Sequence, residues 1–526
     1  MFTLVINDAV TADAASSSAE PERVGRMIPS LYLVVMVMVL MTSADLATPT
    51  VKRNVLLIFG DDAGFQMGAY NNTDILTPNW DALAARSVVF RHGFTSVSSC
   101  SPSRSVLLTG QPQHQNGQYG LAQVPHHFSS FDDVQSLPVI LSQNGVRTGI
   151  VGKKHVKPDS VYKFEFDASD EVYDLQQIGR NITFMKEKVQ AFLSANDSRP
   201  FFLYVAFHDP HRNPDLAGTF GQFMERWGDG QTGHGLIPDW TPVQYDPEKV
   251  KVPYFLPDTN VTRQELANMY TTYSRMDQGI GLFMKELESA GYLNNTLVLY
   301  TSDNGIPYPN AKTNLYESGM GEPMMISNPF QQQHWGEYTD ALASTMDFTP
   351  TILDWFGVNA STIKAKLSGK SLLPLTEEPD NITNYQTVFS SHNFHEVTMY
   401  YPMRVIRTPR YRLIHNINHR APFGLATDLY QAPTFQQILN DTQEGHPSGW
   451  FKSLNSYYYR DQYELFDLQN DPEELQNVAD DPSYQQVLQE LSTQLLTWQK
   501  ATSDTWRCMP SAILEGMTCD AAYNGE

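Results

Sequence analysis

Four short apolar runs, far apart in the chain, each stop at a cluster of polar and charged residues. Val55 to Phe59 is followed by Gly60-Asp61-Asp62, and Thr148 to Val151 by Gly152-Lys153-Lys154-His155. Phe201 to Phe207 runs into His208-Asp209-Pro210-His211-Arg212, and Leu297 to Tyr300 into Thr301-Ser302-Asp303-Asn304-Gly305. Runs of this length, rich in Val, Ile, Phe and Tyr, read as buried strands. Longer amphipathic stretches alternate with them, which predicts an α/β fold with a central, mostly parallel or mixed sheet flanked by helices. In open α/β sheets ligands bind at the carboxyl edge of the strands. The pattern therefore predicts one site assembled from distant segments. There is no internal repeat and no long low-complexity segment.

The character of the chain changes after about residue 385. Thr387 to Ser390, Met403 to Arg407 and Tyr411 to Ile414 read as short strands, and Pro482 to Thr502 as a helix. This predicts a smaller α+β part with an antiparallel sheet and a terminal helix. The expected division is an N-terminal extension and signal peptide over 1–44, a catalytic domain over 45–385 and a C-terminal subdomain over 386–526.

A formal net charge of −22 over 526 residues argues against sequence-independent binding of nucleic acid. An anionic substrate would need positive charge concentrated in a pocket. Arg23 and Arg26 precede an apolar run from Leu31 to Met41, and Thr42, Ser43 and Ala44 follow it. That order matches a secretory signal peptide, with Met27 an alternative start. The run is short for a membrane span, although an uncleaved signal anchor is the alternative. Eight N-x-[ST] sequons, at Asn71, Asn181, Asn196, Asn260, Asn294, Asn359, Asn381 and Asn440, agree with a glycoprotein. Of three cysteines, Cys508 and Cys519 lie close together and could close a short loop in an oxidising compartment. Cys100 is the odd one out.

Cys100 opens the run Cys-Ser-Pro-Ser-Arg-Ser-Val-Leu-Leu-Thr-Gly, which ends at Gly110. It reads C-x-P-S-R-x-x-x-L-T-G and resembles the signature by which sulfatases mark a cysteine for oxidation to formylglycine. A thiol is a poor catalyst of sulfuryl transfer, whereas a hydrated aldehyde offers two hydroxyls on one carbon. Asp61, Asp62, Asp303 and Asn304 form an all-oxygen set, which suits a hard cation such as Ca²⁺ or Mg²⁺ and not zinc. Each pair alone would read as a turn at a strand end. Arg104, Lys153, His155, His211 and Lys312 form a cationic set able to surround sulfate with charge-assisted donors. His208 reads as the structural partner of His211. Lys154, Arg212, His126 and His127 read by default as solvated surface.

The stretch from Gly145 to His155 resembles a second sulfatase signature. Within the family the chain is most similar to the sulfamidase branch, the lysosomal N-sulphoglucosamine sulphohydrolases (heparan N-sulfatases). SVSSCSPSRSVLLTGQPQHQNG, FFLYVAFHDPHR, TSDNGIP, HEVTMYYPMR and YELFDLQNDPEELQN carry that resemblance, which extends from about Arg53 to Cys519. It implies an alkaline-phosphatase-like fold, a homodimer and a lysosomal or secreted location. It also implies a formylglycine made from Cys100 by a formylglycine-generating enzyme. One Ca²⁺ per subunit would be held by Asp61, Asp62, Asp303, Asn304 and an oxygen of the modified Cys100. Arg104 and Lys153 would stabilise the hydrate, and His155, His211 and Lys312 would contact sulfate or the leaving group, with Lys153 also on sulfate. The implied reaction is hydrolysis of the N-linked sulfate of terminal glucosamine in heparan sulfate. An O-sulfatase of a sulfated sugar, a phosphatase or phosphodiesterase of the same superfamily, and an inactive glycan-binding member of the fold are the alternatives. Two departures stand out. Residues 213 to 226 lack the branch's cysteine pair, and Lys312 replaces an arginine before Thr-Asn-Leu-Tyr, keeping charge but losing the planar fork.

Overall fold

The computed structural model describes residues 52–521 apart from 174–176, 215–218, 360, 362, 510–511 and 516–517. The targeting segment expected within residues 1–44 lies outside the described residues. An eight-stranded sheet forms the centre. Its strands are β1 (Asn54–Asp61), β2 (Val88–Phe94), β3 (Arg147–Gly152), β4 (Phe166–Ser169), β5 (Phe201–Pro210), β6 (Thr296–Ser302), β7 (Met324–Ser327) and β8 (Tyr338–Ser344). They lie in the order β4-β3-β5-β1-β6-β7-β2-β8. Only β7 runs antiparallel to its neighbours. The four apolar runs therefore occupy consecutive parallel positions, β3-β5-β1-β6, and release their polar residues at one edge.

The central strands are buried on both faces and so are apolar throughout. Leu56 and Ile58 of β1 pack with Met185, Val189, Met276 and Ile280 from the helices Ile182–Leu193 and Asn260–Ser289. Val55, Leu57 and Phe59 point the other way, onto Leu107 and Leu108 of the helix Cys100–Thr109 and Ile352 of Phe348–Trp355. The period-two alternation of a strand is what divides one sequence between two helical layers.

A second sheet is antiparallel, in the order β12-β11-β10-β9, with β9 at Val388–His392, β10 at Met403–Arg407, β11 at Tyr411–Asn416 and β12 at Tyr463–Asp467. The helix Gln485–Ala501 covers it through Leu491 and Leu495, which pack with Ile406, Leu413 and Leu465. Cys508 and Cys519 form a disulfide. No helix among the described residues is long and apolar enough to cross a membrane. Seven of the eight sequon asparagines are exposed. Asn181 is half-buried, and its side-chain oxygen accepts the backbone N–H of Phe184 at the start of a helix.

Candidate active site

The carboxyl edge of β3, β5, β1 and β6 faces the amino end of the helix Cys100–Thr109. That helix is buried along its whole length and ends at Gly110, whose φ of 64° is the left-handed cap that glycine adopts freely. Cys100 is its first residue, 1% exposed, with Sγ 4.0 Å from Asp62 Oδ1. Helix amides at this end favour negative charge. Burial nevertheless pushes the thiol well upward, with Lys153 and Lys312 only partly offsetting it. As a cysteine, the residue is a protonated thiol and a weak nucleophile.

Three cations interleave with the carboxylates. Lys153 Nζ lies 2.6 Å from Asp61 Oδ2. Arg104 donates to Asp303 Oδ2 through Nε at 3.1 Å and Nη2 at 2.7 Å, and its Nη2 is 3.3 Å from Asp61 Oδ1. Lys312, fully buried, bridges Asp62 Oδ2 at 2.9 Å and Asp428 Oδ2 at 3.2 Å. Burial raises Asp61, but Lys153, His211 and Arg104 outweigh it and hold this carboxyl well below its usual range. Burial and the neighbouring Asp61 charge push Asp303 up to about 7.

The oxygen set fits a divalent cation. Asp61 Oδ1 and Asn304 Oδ1 are buried and accept no hydrogen bond. Asn304 turns its amide N–H groups to Asp62 Oδ1 (2.7 Å) and the Gly305 carbonyl (3.0 Å), which frees that oxygen. Ligand atoms of Asp61, Cys100 and Asp303 lie within 4.8 Å of one another. Asp61, Asp62, Asp303 and Asp428 face Arg104, Lys153 and Lys312, four negative groups against three positive ones. A divalent cation reverses that sign, so an anionic substrate is attracted rather than repelled.

The histidines part company. His211 Nδ1 lies 2.7 Å from the Arg212 carbonyl, so it carries the proton and donates. Nε2 then accepts from Lys312 Nζ at 3.1 Å. Burial and the adjacent Lys312 lower this imidazole. His155 pairs through Nε2 with Gln123 Oε1 rather than with a carboxylate. His208 sits 3.5 Å from Asp170. Lys154 and Arg212 are buried, in place of the solvated positions expected of them. Lys154 pairs with Asp159 and Asp167, while Arg212 pairs with Glu265 and donates to the Pro307 carbonyl. The loop after β5, without cysteines, is tied by Asn213 N to the Gln222 carbonyl (2.7 Å) and Gly221 N to the Asn213 carbonyl (3.0 Å).

Sequence reasoning missed one wall. A cleft of about 550 Å³ opens beside His211, and Gln123, His395, Glu396, Thr427 and Asp428 line it. Glu396 Oε1 accepts from Thr427 N (2.7 Å) and Oγ1 (2.6 Å), pinning the short helix Thr427–Gln431. His395 Nδ1 is 2.8 Å from Ser99 Oγ, beside Cys100. Burial opposes the charge on Asp428, but Lys312, His211 and His395 hold its carboxyl well below the usual range. His395 and Glu396 lie in HEVTMYYPMR, a segment that marked a branch of the family without declaring a site. Asp428 carried no local signal.

A carboxyl-edge site with this oxygen set, on a mixed sheet between helical layers, is that of a sulfatase-type hydrolase. Residues 53–358 match the sulfatase model, and the chain belongs to the sulfatase family. Residues 310–448 and 445–501 match the C-terminal model of N-sulphoglucosamine sulphohydrolase. The chain is 54% identical over 472 residues to N-sulphoglucosamine sulphohydrolase from Homo sapiens, covering 88% of this chain and 93% of that protein. It is 25% identical to an ulvan-active sulfatase from Formosa agariphila, over 86% of this chain and 76% of the relative. Among solved structures, a 2-O GAG sulfatase shares the fold with a TM-score of 0.60 and 21% identity, covering 90% of this chain and 95% of its own.

Proposed function

We propose that the chain hydrolyses the N-linked sulfate of terminal glucosamine residues of heparan sulfate. The observation that carries this reading is the 54% identity, over 88% of this chain, with human N-sulphoglucosamine sulphohydrolase, together with the match of residues 310–448 to its C-terminal model, which takes in the cleft wall. Oxidation of Cys100 by a formylglycine-generating enzyme supplies the nucleophile, a hydrate with one hydroxyl to attack sulfur and a second whose deprotonation expels sulfate. Asp61, Asp62, Asp303 and Asn304 would hold a Ca²⁺, which would supply positive charge against the sulfuryl oxygens.

The side chains do the rest. Lys153 and Arg104 fix Asp61 and Asp303 and add positive charge around position 100. Lys312 and His155 face the bound anion. The leaving nitrogen must take a proton, because an amide anion is a very poor leaving group. His211 is the acid assigned to that step in its protonated form, with the added proton on the Nε2 that otherwise accepts from Lys312. The resemblance further supports a homodimer, and with the sequons and disulfide it supports passage through the secretory pathway to the lysosome.

Incubation with N-sulfated glucosamine tests the proposal. Wild-type protein should release sulfate and free amine in equal amounts over many turnovers. Cys100→Ser keeps one hydroxyl near sulfur but lacks the geminal second one, so it should stop after about one turnover as a serine O-sulfate. Sustained turnover by Cys100→Ser, or no sulfate released by wild type, would overturn the reading.

A further inference from the structure

Sulfamate and sulfate-ester hydrolysis differ at the leaving atom. In R–NH–SO₃⁻ + H₂O → R–NH₃⁺ + SO₄²⁻ the N–S bond breaks, an S–O bond forms, and the nitrogen leaves the reaction protonated. The corresponding ester gives a neutral alcohol, sulfate and a free proton. A site specific for the first reaction gains from a fixed negative charge beside the leaving atom, and a site for the second does not.

Asp428 meets that requirement. Cys100 lies deep, at the amino end of its helix, whereas Asp428 lines the cleft with its side chain 10% exposed. Carboxylate oxygens of Asp62 and Asp428 and a ring nitrogen of His211 lie within 4.8 Å of one another, so Asp428 stands beside the assigned proton donor. Its Oδ1 accepts from Leu429 N at 2.8 Å and its Oδ2 from Lys312 at 3.2 Å. Each oxygen retains a lone pair for a further donor. The helix that presents it is pinned at Thr427 by Glu396, so the carboxylate is held before substrate arrives. Lys312 is shared between Asp428 and Asp62, and Asp428 still lines the cleft.

We propose that Asp428 is the specificity-determining residue for an amine leaving group: its carboxylate accepts the N–H of the departing glucosamine and balances the charge of the ammonium product. This rests on the N-sulfoglucosamine activity proposed above. It predicts that the product side of the site discriminates by charge. Free glucosamine, an ammonium below neutral pH, should inhibit wild-type protein about tenfold more tightly than N-acetylglucosamine, whose amide nitrogen is neutral.

Two measurements test it. In the first, inhibition constants for glucosamine and N-acetylglucosamine are compared on wild-type protein, which needs no variant to fold. Equal constants would overturn the proposal. In the second, kcat/KM is measured for N-sulfoglucosamine and for an aryl sulfate ester with wild type and Asp428→Asn, an isosteric change that removes the charge and turns one acceptor oxygen into an amide donor. The sulfamate-to-ester ratio should fall roughly tenfold to a hundredfold, and the glucosamine preference should disappear. A purely structural role, acting through Lys312, would lower both substrates in parallel and leave the ratio unchanged, which would overturn the proposal while the N-sulfatase activity stands. Wild type that cleaves the ester but not the sulfamate would overturn the proposed function itself.

Discussion

The two sides of this site are made in different ways. The chemical side, with Asp61, Asp62, Lys153, Asp303 and Asn304, is hung from the ends of adjacent parallel strands, and Cys100 and Arg104 come from one buried helix. The recognition side, with His395, Glu396, Thr427 and Asp428, comes from the β9–β10 connection and a five-residue helix. Strand ends are rigid and their order is set by the sheet, so the chemistry has fixed coordinates. The far wall depends on a few side-chain bonds, above all that of Glu396 to Thr427. Chemistry should therefore fail steeply when a strand-end residue changes, and affinity should fail gently when a bond that only holds the wall in place is weakened.

The largest effect sharpens the first half of that contrast. Asp303→Asn removes a hard anionic ligand and the partner of Arg104, so kcat should drop by about a hundredfold to a thousandfold. Bound divalent cation, measured by elemental analysis, should fall with it while the circular dichroism spectrum stays unchanged. Full turnover by a metal-free variant would break the assignment.

A smaller effect is expected across the cleft. Glu396→Gln weakens the double acceptance from Thr427, so KM for N-sulfoglucosamine should rise roughly threefold to tenfold with kcat nearly kept. A collapse of kcat at constant KM would mean that Glu396 itself takes part in the chemistry, and the contrast would be lost.

The smallest effect concerns pH and separates the two sheets. Burial lowers His114 and His392 to about 3 and His415 to about 4. An unfolded chain protonates these near pH 6.5, so it binds more protons than the native state and stability is lost as pH falls through that window. Each histidine contributes up to about 1.4 kcal/mol per pH unit. In chelated protein Asp303, raised to about 7, has the opposite sign. The native state holds its proton between the ordinary carboxyl range and about 7, which adds stability as pH falls. Hydrogen exchange should thus show β9–β11 losing protection from about pH 7 to about pH 5, while β1 and β6 lose less. Uniform loss across both sheets would contradict this.

The same contrast explains what could be read from the sequence. The four apolar runs identified β1, β3, β5 and β6, because a strand buried on both faces is an unbroken apolar stretch and its end is marked by the first charge. The antiparallel β9, β10 and β11 were legible too, as short runs between polar turns. Lys154 and Arg212 were misplaced at the surface, since their partners, Asp167 and Glu265, come from segments with no pattern linking them. The pairing of His155 with Gln123 depends on a loop that periodicity does not describe. Asp428 was invisible because its meaning arises only when Lys312, more than a hundred residues earlier, is packed against it. Motif spacing encodes local geometry, whereas recognition surfaces are encoded in tertiary packing.

Everything assigned to the chemical side depends on what residue 100 becomes, since burial keeps its thiol protonated and inert. Protein expressed with a formylglycine-generating enzyme should be digested with trypsin and the peptide from His92 to Arg104, which contains residue 100, weighed. The account predicts a peptide lighter by about 18 Da than the cysteine form, as expected when CH₂SH becomes CHO, in proportion to the specific activity of each preparation. Fully active protein carrying only the unmodified thiol would contradict it.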